Sequence, residues 1–392
     1  MTKGITNTYN SERICIKMNY RLMKKLILFV GVFVGILSAN IANAESPVWG
    51  TYKVECPANS DTYIGITTTR APVFTGKVQS VQNGTTNIVA QGEPNWSANQ
   101  FVYVAGSQTN HYYLKFTSGE LEGAWYDIKS NGAYFAEIEI GSAELAKVQA
   151  NDTFQIIPHW TLATLFPDGG GFTKSTKMTM GTGATFLYKY TKWDDGMVYQ
   201  SGTNRAAVDS FFYRERGTTV GWRNNAKKDA SDEVIEPNGV LKVVQPDEAC
   251  AIAITGVIPM CATSFEVFTT EADGVVDNQD IYVAVPSAVN MKLSELTSSL
   301  IDTNIFASST GMVSAPVDTL FLYQNEKVGK NLVADETCYY RKRGATTKWL
   351  DSAKADANNL ELKASAVMKI RKKAGTEAVG YRCKFVPSYI SQ

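Results

Sequence analysis

One stretch of the chain occurs twice, and that repetition limits what the chain can fold into more than any other feature. Tyr213-Arg-Glu-Arg-Gly-Thr-Thr-Val-Gly-Trp222 returns as Tyr340-Arg-Lys-Arg-Gly-Ala-Thr-Thr-Lys-Trp349. Carried without a gap to Ala230 and Ala357, the two stretches agree at 10 of 18 positions, where unrelated segments would share roughly one. The likeness reaches further in both directions. Phe186-Leu-Tyr188 matches Phe321-Leu-Tyr323, Val240-Leu-Lys-Val-Val244 matches Val367-Met-Lys-Ile-Arg371, and Asp152-Thr-Phe-Gln-Ile-Ile-Pro158 mirrors Asp280-Ile-Tyr-Val-Ala-Val-Pro286.

These segments read as strands. Phe101–Val104, Tyr112–Phe116, Ala136–Ile140 and Phe265–Phe268 are likewise short, rich in aromatic and β-branched residues, and bounded by Gly, Asn and Ser. Helical periodicity is weak and confined to Ser142–Gln149, Trp160–Phe166, Met291–Leu300 and the Ala/Lys/Asp stretches after each repeated Trp. The expected fold is all-β: two tandem copies of a β-meander or sandwich-like unit with a few short helices. The first copy runs over 45–236 with an insertion around 75–140, the second over 237–392. Within each, a Phe-Leu-Tyr strand leads to the Tyr-Arg-x-Arg strand, Gly217 or Gly344 makes the turn, and Trp222 or Trp349 lies on the next strand. Alternation then sets Arg214 and Arg216 on one face and Phe211, Tyr213 and Glu215 on the other.

The N-terminus carries an address. Met23-Lys24-Lys25 precedes an apolar run from Leu26 to Ala39, and Ala42-Asn43-Ala44 supplies small residues before a cut at Glu45. This is the pattern of a signal peptide over 23–44, with 1–22 as an over-extended start; the run is shorter than the ~20 residues of a membrane-spanning helix. Removing 1–44 takes six basic residues and one acid from 38 of each sign, leaving 32 against 37. That mild negative balance argues against nucleic acid or an anionic membrane surface as partner. Export without a retained transmembrane segment is expected, to the periplasm, the cell surface or the medium.

Five of the six cysteines follow residue 44: Cys56, Cys250, Cys261, Cys338 and Cys383. In an oxidising compartment they can pair, and the expected bridges are Cys338 with Cys383 and Cys250 with Cys261. No Cys-x-x-Cys or Cys/His cluster suggests structural zinc, and no cofactor motif is present. Asp168-Gly-Gly-Gly171 and the acids from Asp273 to Asp280 read as turns, lacking the ligand spacing of a calcium loop.

Tyr113-Leu-Lys-Phe-Thr-Ser-Gly-Glu-Leu-Glu-Gly-Ala-Trp-Tyr-Asp-Ile128, Asn151–Pro167 with its Pro-His-Trp-Thr-Leu-Ala-Thr-Leu-Phe-Pro, and the Tyr-Arg-x-Arg…Trp segments together resemble a family of secreted bacterial β-repeat proteins. The resemblance spans essentially all of the chain after residue 44. It implies a signal peptide and a β-rich repeat fold, and carries no activity with it. Asn151-Asp152 stands where such proteins often have Gly-Asp, which keeps a turn before the strand.

Convergent reactive groups are scarce. The two histidines, His111 and His159, read as a surface-loop residue and a packed imidazole, and there is no nucleophile elbow, zinc helix or P-loop. The acids Asp168, Asp194, Asp195, Asp273 and Asp277 offer material for a glycosidase carboxylate pair. The repeated motif has two readings. It is a scaffold in which guanidinium groups stack on tryptophans across a hairpin, or a ligand platform of Tyr213, Arg214, Arg216 and Trp222 with Tyr340, Arg341, Arg343 and Trp349. The scaffold is favoured. The expected role is that of an exported, non-catalytic protein that binds polysaccharide or associates with itself; the alternative is a carbohydrate-active enzyme with loop carboxylates.

Overall fold

Phe186–Tyr190, Asp209–Arg216 and Thr219–Asn224 lie side by side as the meander that the first motif predicts, and Thr319–Tyr323, Glu336–Arg343 and Thr346–Asp351 repeat it. Each hairpin turns through two residues. Gly217 and Gly344 both sit at φ 57°, where glycine carries no steric penalty. The computed structural model describes residues 46–178, 181–190, 207, 209–269, 278–312, 315–373 and 380–390; the signal segment at 23–44 and the start at 1–22 lie outside them.

Each meander is extended by two strands into a five-stranded antiparallel sheet. The first sheet runs Thr219–Asn224, Asp209–Arg216, Phe186–Tyr190, Val240–Val244, Asp61–Gly65, and the second Thr346–Asp351, Glu336–Arg343, Thr319–Tyr323, Val367–Lys373, Asn278–Ala284. The two orders correspond strand for strand. A two-stranded antiparallel ladder accompanies each: Trp49–Cys56 pairs with Cys250–Val257, and Thr263–Phe268 pairs with Gly380–Phe385. So does a minimal ribbon, Trp160–Thr161 with Val234–Ile235 and Met291–Lys292 with Glu361–Leu362. The all-β expectation with short helices therefore holds.

Details depart from the sequence reading where tertiary pairing overrides local pattern. Val240–Val244 and Cys250–Val257 pair with Asp61–Gly65 and Trp49–Cys56, so the first sheet and its two-stranded ladder continue to Val257, past the expected junction at 236–237. The position of Asn278–Ala284 in the second sheet is held in the first by Asp61–Gly65; Thr153–Pro158 belongs instead to a closed barrel. Phe101–Val104 is loop rather than strand, and the stretches after the tryptophans are turns in which Lys227 and Lys354 take φ 65° and 68°. Among the described residues, helix is limited to Ser142–Leu145, Leu162–Leu165 and short tighter or wider turns such as Leu293–Leu296 and Thr297–Ile301. No helix among the described residues is long and apolar enough to cross a membrane.

The stretch read as an insertion around 75–140 lies within that barrel, whose strands run on to Pro158. Phe74–Val81, Asn87–Ala90, Phe135–Ile138, Trp125–Asn131, Tyr112–Phe116 and Thr153–Pro158 close on one another in that order. Inward residues such as Val78, Ile88, Leu114, Phe116, Ile128, Phe154 and Ile156 pack together as its apolar core, as expected of a small barrel.

Between the two sheets a fourth apolar cluster gathers Tyr63, Tyr323, Val240 and Val367 with Tyr190 and Tyr282. Gly65 N–H donates to Ser365 O at 2.8 Å while Ala284 N–H donates to Asn238 O at 3.1 Å. Gly65 is needed there because a Cβ would stand 2.6 Å from Ala366 O and 2.7 Å from Ala284 Cβ.

Candidate functional site

The repeated motif is interior. Trp222 and Trp349 are 2% and 0% exposed. Trp222 packs edge-on against Tyr213 at 5.5 Å and its Nε1–H donates to Phe166 O at 3.2 Å. Trp349 meets Tyr340 in the same way at 5.3 Å, and its Nε1–H donates to Thr297 Oγ1 at 3.2 Å. Strand register explains why the guanidinium groups do not stack on these rings. Tyr213 and Tyr340 are the cross-strand partners of the tryptophans, whereas Arg214 and Arg341 face Gly221 and Lys348. Arg214 and Arg341 are buried on the opposite face, while Arg216 and Arg343 are exposed. A platform presenting all eight side chains is not assembled.

The five cysteines at 56, 250, 261, 338 and 383 are unbonded. Cys250 opens the extended strand Cys250–Val257 and Cys261 lies beyond its far end, so the strand itself separates the expected pair. Cys250 instead stands opposite Cys56 in register. Cys338 and Cys383 share the second core, and burial pushes both thiols up to about 12.

Of the expected loop acids, Asp168 lies in a tight turn, where it and Gly169–Gly171 all have positive φ; Asp194, Asp195, Asp273 and Asp277 fall outside the described residues. No group of three or more His, Cys, Asp or Glu side chains is placed to hold a metal among the described residues.

The barrel's outer wall carries a cleft of about 890 Å³. Alternation on Trp125–Asn131 creates its floor: Tyr126 and Ile128 turn into the core while Trp125, Asp127 and Lys129 turn out. Tyr112 and Pro158 pair across the neighbouring strands, which brings His111 and His159 together just beyond; His159 N–H donates to His111 O at 2.8 Å. The loop before Tyr112 adds Tyr103, and the far rim comes from Glu236, Glu266 and Arg382.

Polar groups in the cleft are largely committed to one another. His159 Nε2 and Asp127 Oδ1 are 2.7 Å apart, and His159 is buried between Tyr113 at 4.4 Å and Trp125 at 5.7 Å. Tyr103 stacks on His111 at 4.1 Å and donates to Asp232 Oδ2 at 2.8 Å. Burial, and secondarily His159, lower the pKa of His111, against the opposing pull of Asp232 and Asp127. Arg382 grips Glu144 through two bonds of 2.7 and 3.0 Å and reaches Glu266 at 3.3 Å; Lys129 pairs with Glu139 at 3.3 Å. Asp127, Glu139, Glu144, Glu236 and Glu266 outnumber Lys129 and Arg382, so the cleft is acidic. What it offers a ligand are the half-buried rings of Tyr103, Tyr112 and Trp125.

Both histidines were visible in the sequence, as were Trp125 and Asp127 within the Trp-Tyr-Asp-Ile segment. Their convergence was not, because it depends on barrel closure. Compared with known proteins, the chain matches no family model and no curated protein.

Proposed function

We propose that this chain is an exported, non-catalytic binding protein, built by tandem duplication of one β-unit, whose first unit carries the barrel as a glycan-binding insert. The observation that carries this reading is the cleft of about 890 Å³ walled by Tyr103, Tyr112 and Trp125. Half-buried aromatic faces supply apolar contact at little conformational cost, in the manner of small-ligand sites with a few placed polar groups. Its excess of carboxylates selects neutral or amino-bearing sugars over acidic ones. Catalysis finds less support, since Tyr103 OH and His159 Nε2 are held by Asp232 and Asp127 as positioning contacts.

Duplication is supported by the sequence repeat and by the strand-for-strand correspondence of the two sheets. Export is supported by the sequence pattern at 23–44, and the resemblance to secreted bacterial β-repeat proteins fits both. The experiment is affinity electrophoresis through gels containing neutral, amino-bearing and acidic polysaccharides, run beside a reducing-sugar assay. Retardation by the first two classes without sugar release is the expected result. Release of reducing sugar would transfer the reading to a carbohydrate-active enzyme, and indifference to every polysaccharide would overturn both.

A further inference from the structure

We propose that Cys56 and Cys250 are a thiol pair that closes to a disulfide when the protein meets a disulfide oxidant, stapling the first strand of the N-terminal unit to its last. The two residues are direct partners at the end of the Trp49–Cys56 and Cys250–Val257 ladder. Ile258 N–H donates to Val48 O at 2.8 Å, which makes every second pair of this ladder, Cys56 with Cys250 included, a hydrogen-bonded one. Such pairs have Cα atoms about 5.5 Å apart, inside the ~4.4 to 6.8 Å that a disulfide spans.

The environment divides the labour between the two sulfurs. Cys250 is half-exposed and Cys56 is buried. A hydrogen bond from the Cys56 thiol, helped by Gln245, lowers the pKa of Cys250, while the same contact and burial raise that of Cys56. Cys250 is thus the more accessible and the more readily ionised of the two thiols. It attacks one sulfur of an external disulfide, forming a mixed disulfide and expelling one thiolate. Cys56, losing its proton to solvent, then attacks the Cys250 sulfur, forms the intramolecular bond and expels the second thiolate. One external disulfide is reduced to two thiols as two protein thiols are oxidised to one disulfide.

The bond would tie residues 56 and 250 across a closed loop containing the whole barrel and the first sheet's meander. Long loops gain most from such closure in the chain-entropy account. Cys338 and Cys383, buried and with raised pKa, are poor competitors for the oxidant.

The test treats purified full-length protein with oxidised glutathione, blocks remaining thiols with iodoacetamide and maps a non-reduced digest by mass spectrometry. A linked peptide pair containing Cys56 and Cys250 is expected, with a melting temperature raised by on the order of 5 °C over the reduced protein. Cys250→Ser should abolish both, and Cys338→Ser should leave the linked pair in place. Recovery of Cys56 and Cys250 in separate alkylated or glutathionylated peptides would overturn the proposal, as would Cys250 joined to Cys261. Because the oxidant is supplied, the result is independent of whether the chain is exported or binds glycan.

Discussion

The ring of Tyr63 lies 4.3 Å from that of Tyr323, and the contact is answered by Tyr282 lying 4.5 Å from Tyr190. Tyr63 and Tyr282 occupy matching positions opposite Lys242 and Lys369; Tyr190 and Tyr323 match opposite Val240 and Val367, so strand pairing shifts the sequence match of Phe186–Tyr188 with Phe321–Tyr323 by two residues. Each sheet thus offers the other the same pair of rings, the reciprocity of a two-fold interface within one chain. Asn325 reinforces one side, accepting from Tyr63 N–H and donating to Tyr63 O at 2.8 Å each.

Coupling across this interface is therefore expected. In a double-mutant cycle, Tyr63→Ala and Tyr323→Ala should interact by about 0.5–1.5 kcal/mol, and Tyr282→Ala with Tyr190→Ala by a similar amount. Chemical denaturation of the single and double variants measures both. Additive effects at either pair would remove the reciprocity from the account.

The buried tryptophans set a larger scale. Trp222→Ala or Trp349→Ala should lose about 3–5 kcal/mol, because each leaves a cavity in a closed core. Urea titration gives the values, and losses under about 1 kcal/mol would contradict the interior placement.

The motif arginines should differ between the units. Arg341 Nη1 donates to Ser309 Oγ at 3.2 Å, whereas Ser175 Oγ accepts from Gly181 N–H at 3.1 Å and Arg214 Nη1 has no hydrogen-bond partner. Arg341→Met should cost about 1–2 kcal/mol and Arg214→Met clearly less, since the latter removes an unsatisfied buried donor. Equal losses in thermal unfolding would refute the distinction.

Much of this arrangement was legible in the sequence. The meander, both glycine turns and the matching of Val240–Val244 with Val367–Arg371 follow from alternation and repetition alone. The ends of the units were not legible, because Trp49–Cys56 finds its partner in Cys250–Val257 and nothing local announces that pairing. The orientation of Arg214 was visible, but not its burial, nor the parallel bridge that brings the distant Ser175 alongside it. The cleft was hidden for a related reason: Trp125 and Asp127 turn outward only once the strand's other face fills the barrel.

Acid should act on the cleft through His111. Its pKa lies below the ordinary 6.5, chiefly because burial disfavours the imidazolium. The fold then binds fewer protons there than the unfolded chain, so this contribution to stability is present above pH 6.5 and is lost as the pH falls through the lowered value. Imidazole NMR of the two-histidine chain should place His111 below 6.5. His111→Asn should flatten the fall in melting temperature between about pH 7 and pH 5. A His111 midpoint above 6.5 would reverse the argument.

The central claim, that the repeated motif is scaffold and the cleft on the barrel is the site, rests most directly on one comparison. Affinity electrophoresis in a neutral polysaccharide gel should be run for wild type, Trp125→Ala and the double variant Arg216→Ala/Arg343→Ala, whose altered side chains are exposed and spare the core. Loss of retardation in Trp125→Ala, with the arginine variant retarded like wild type, is the predicted result. Retardation that survives Trp125→Ala but disappears in the arginine variant would contradict it and return the binding role to the repeated motif.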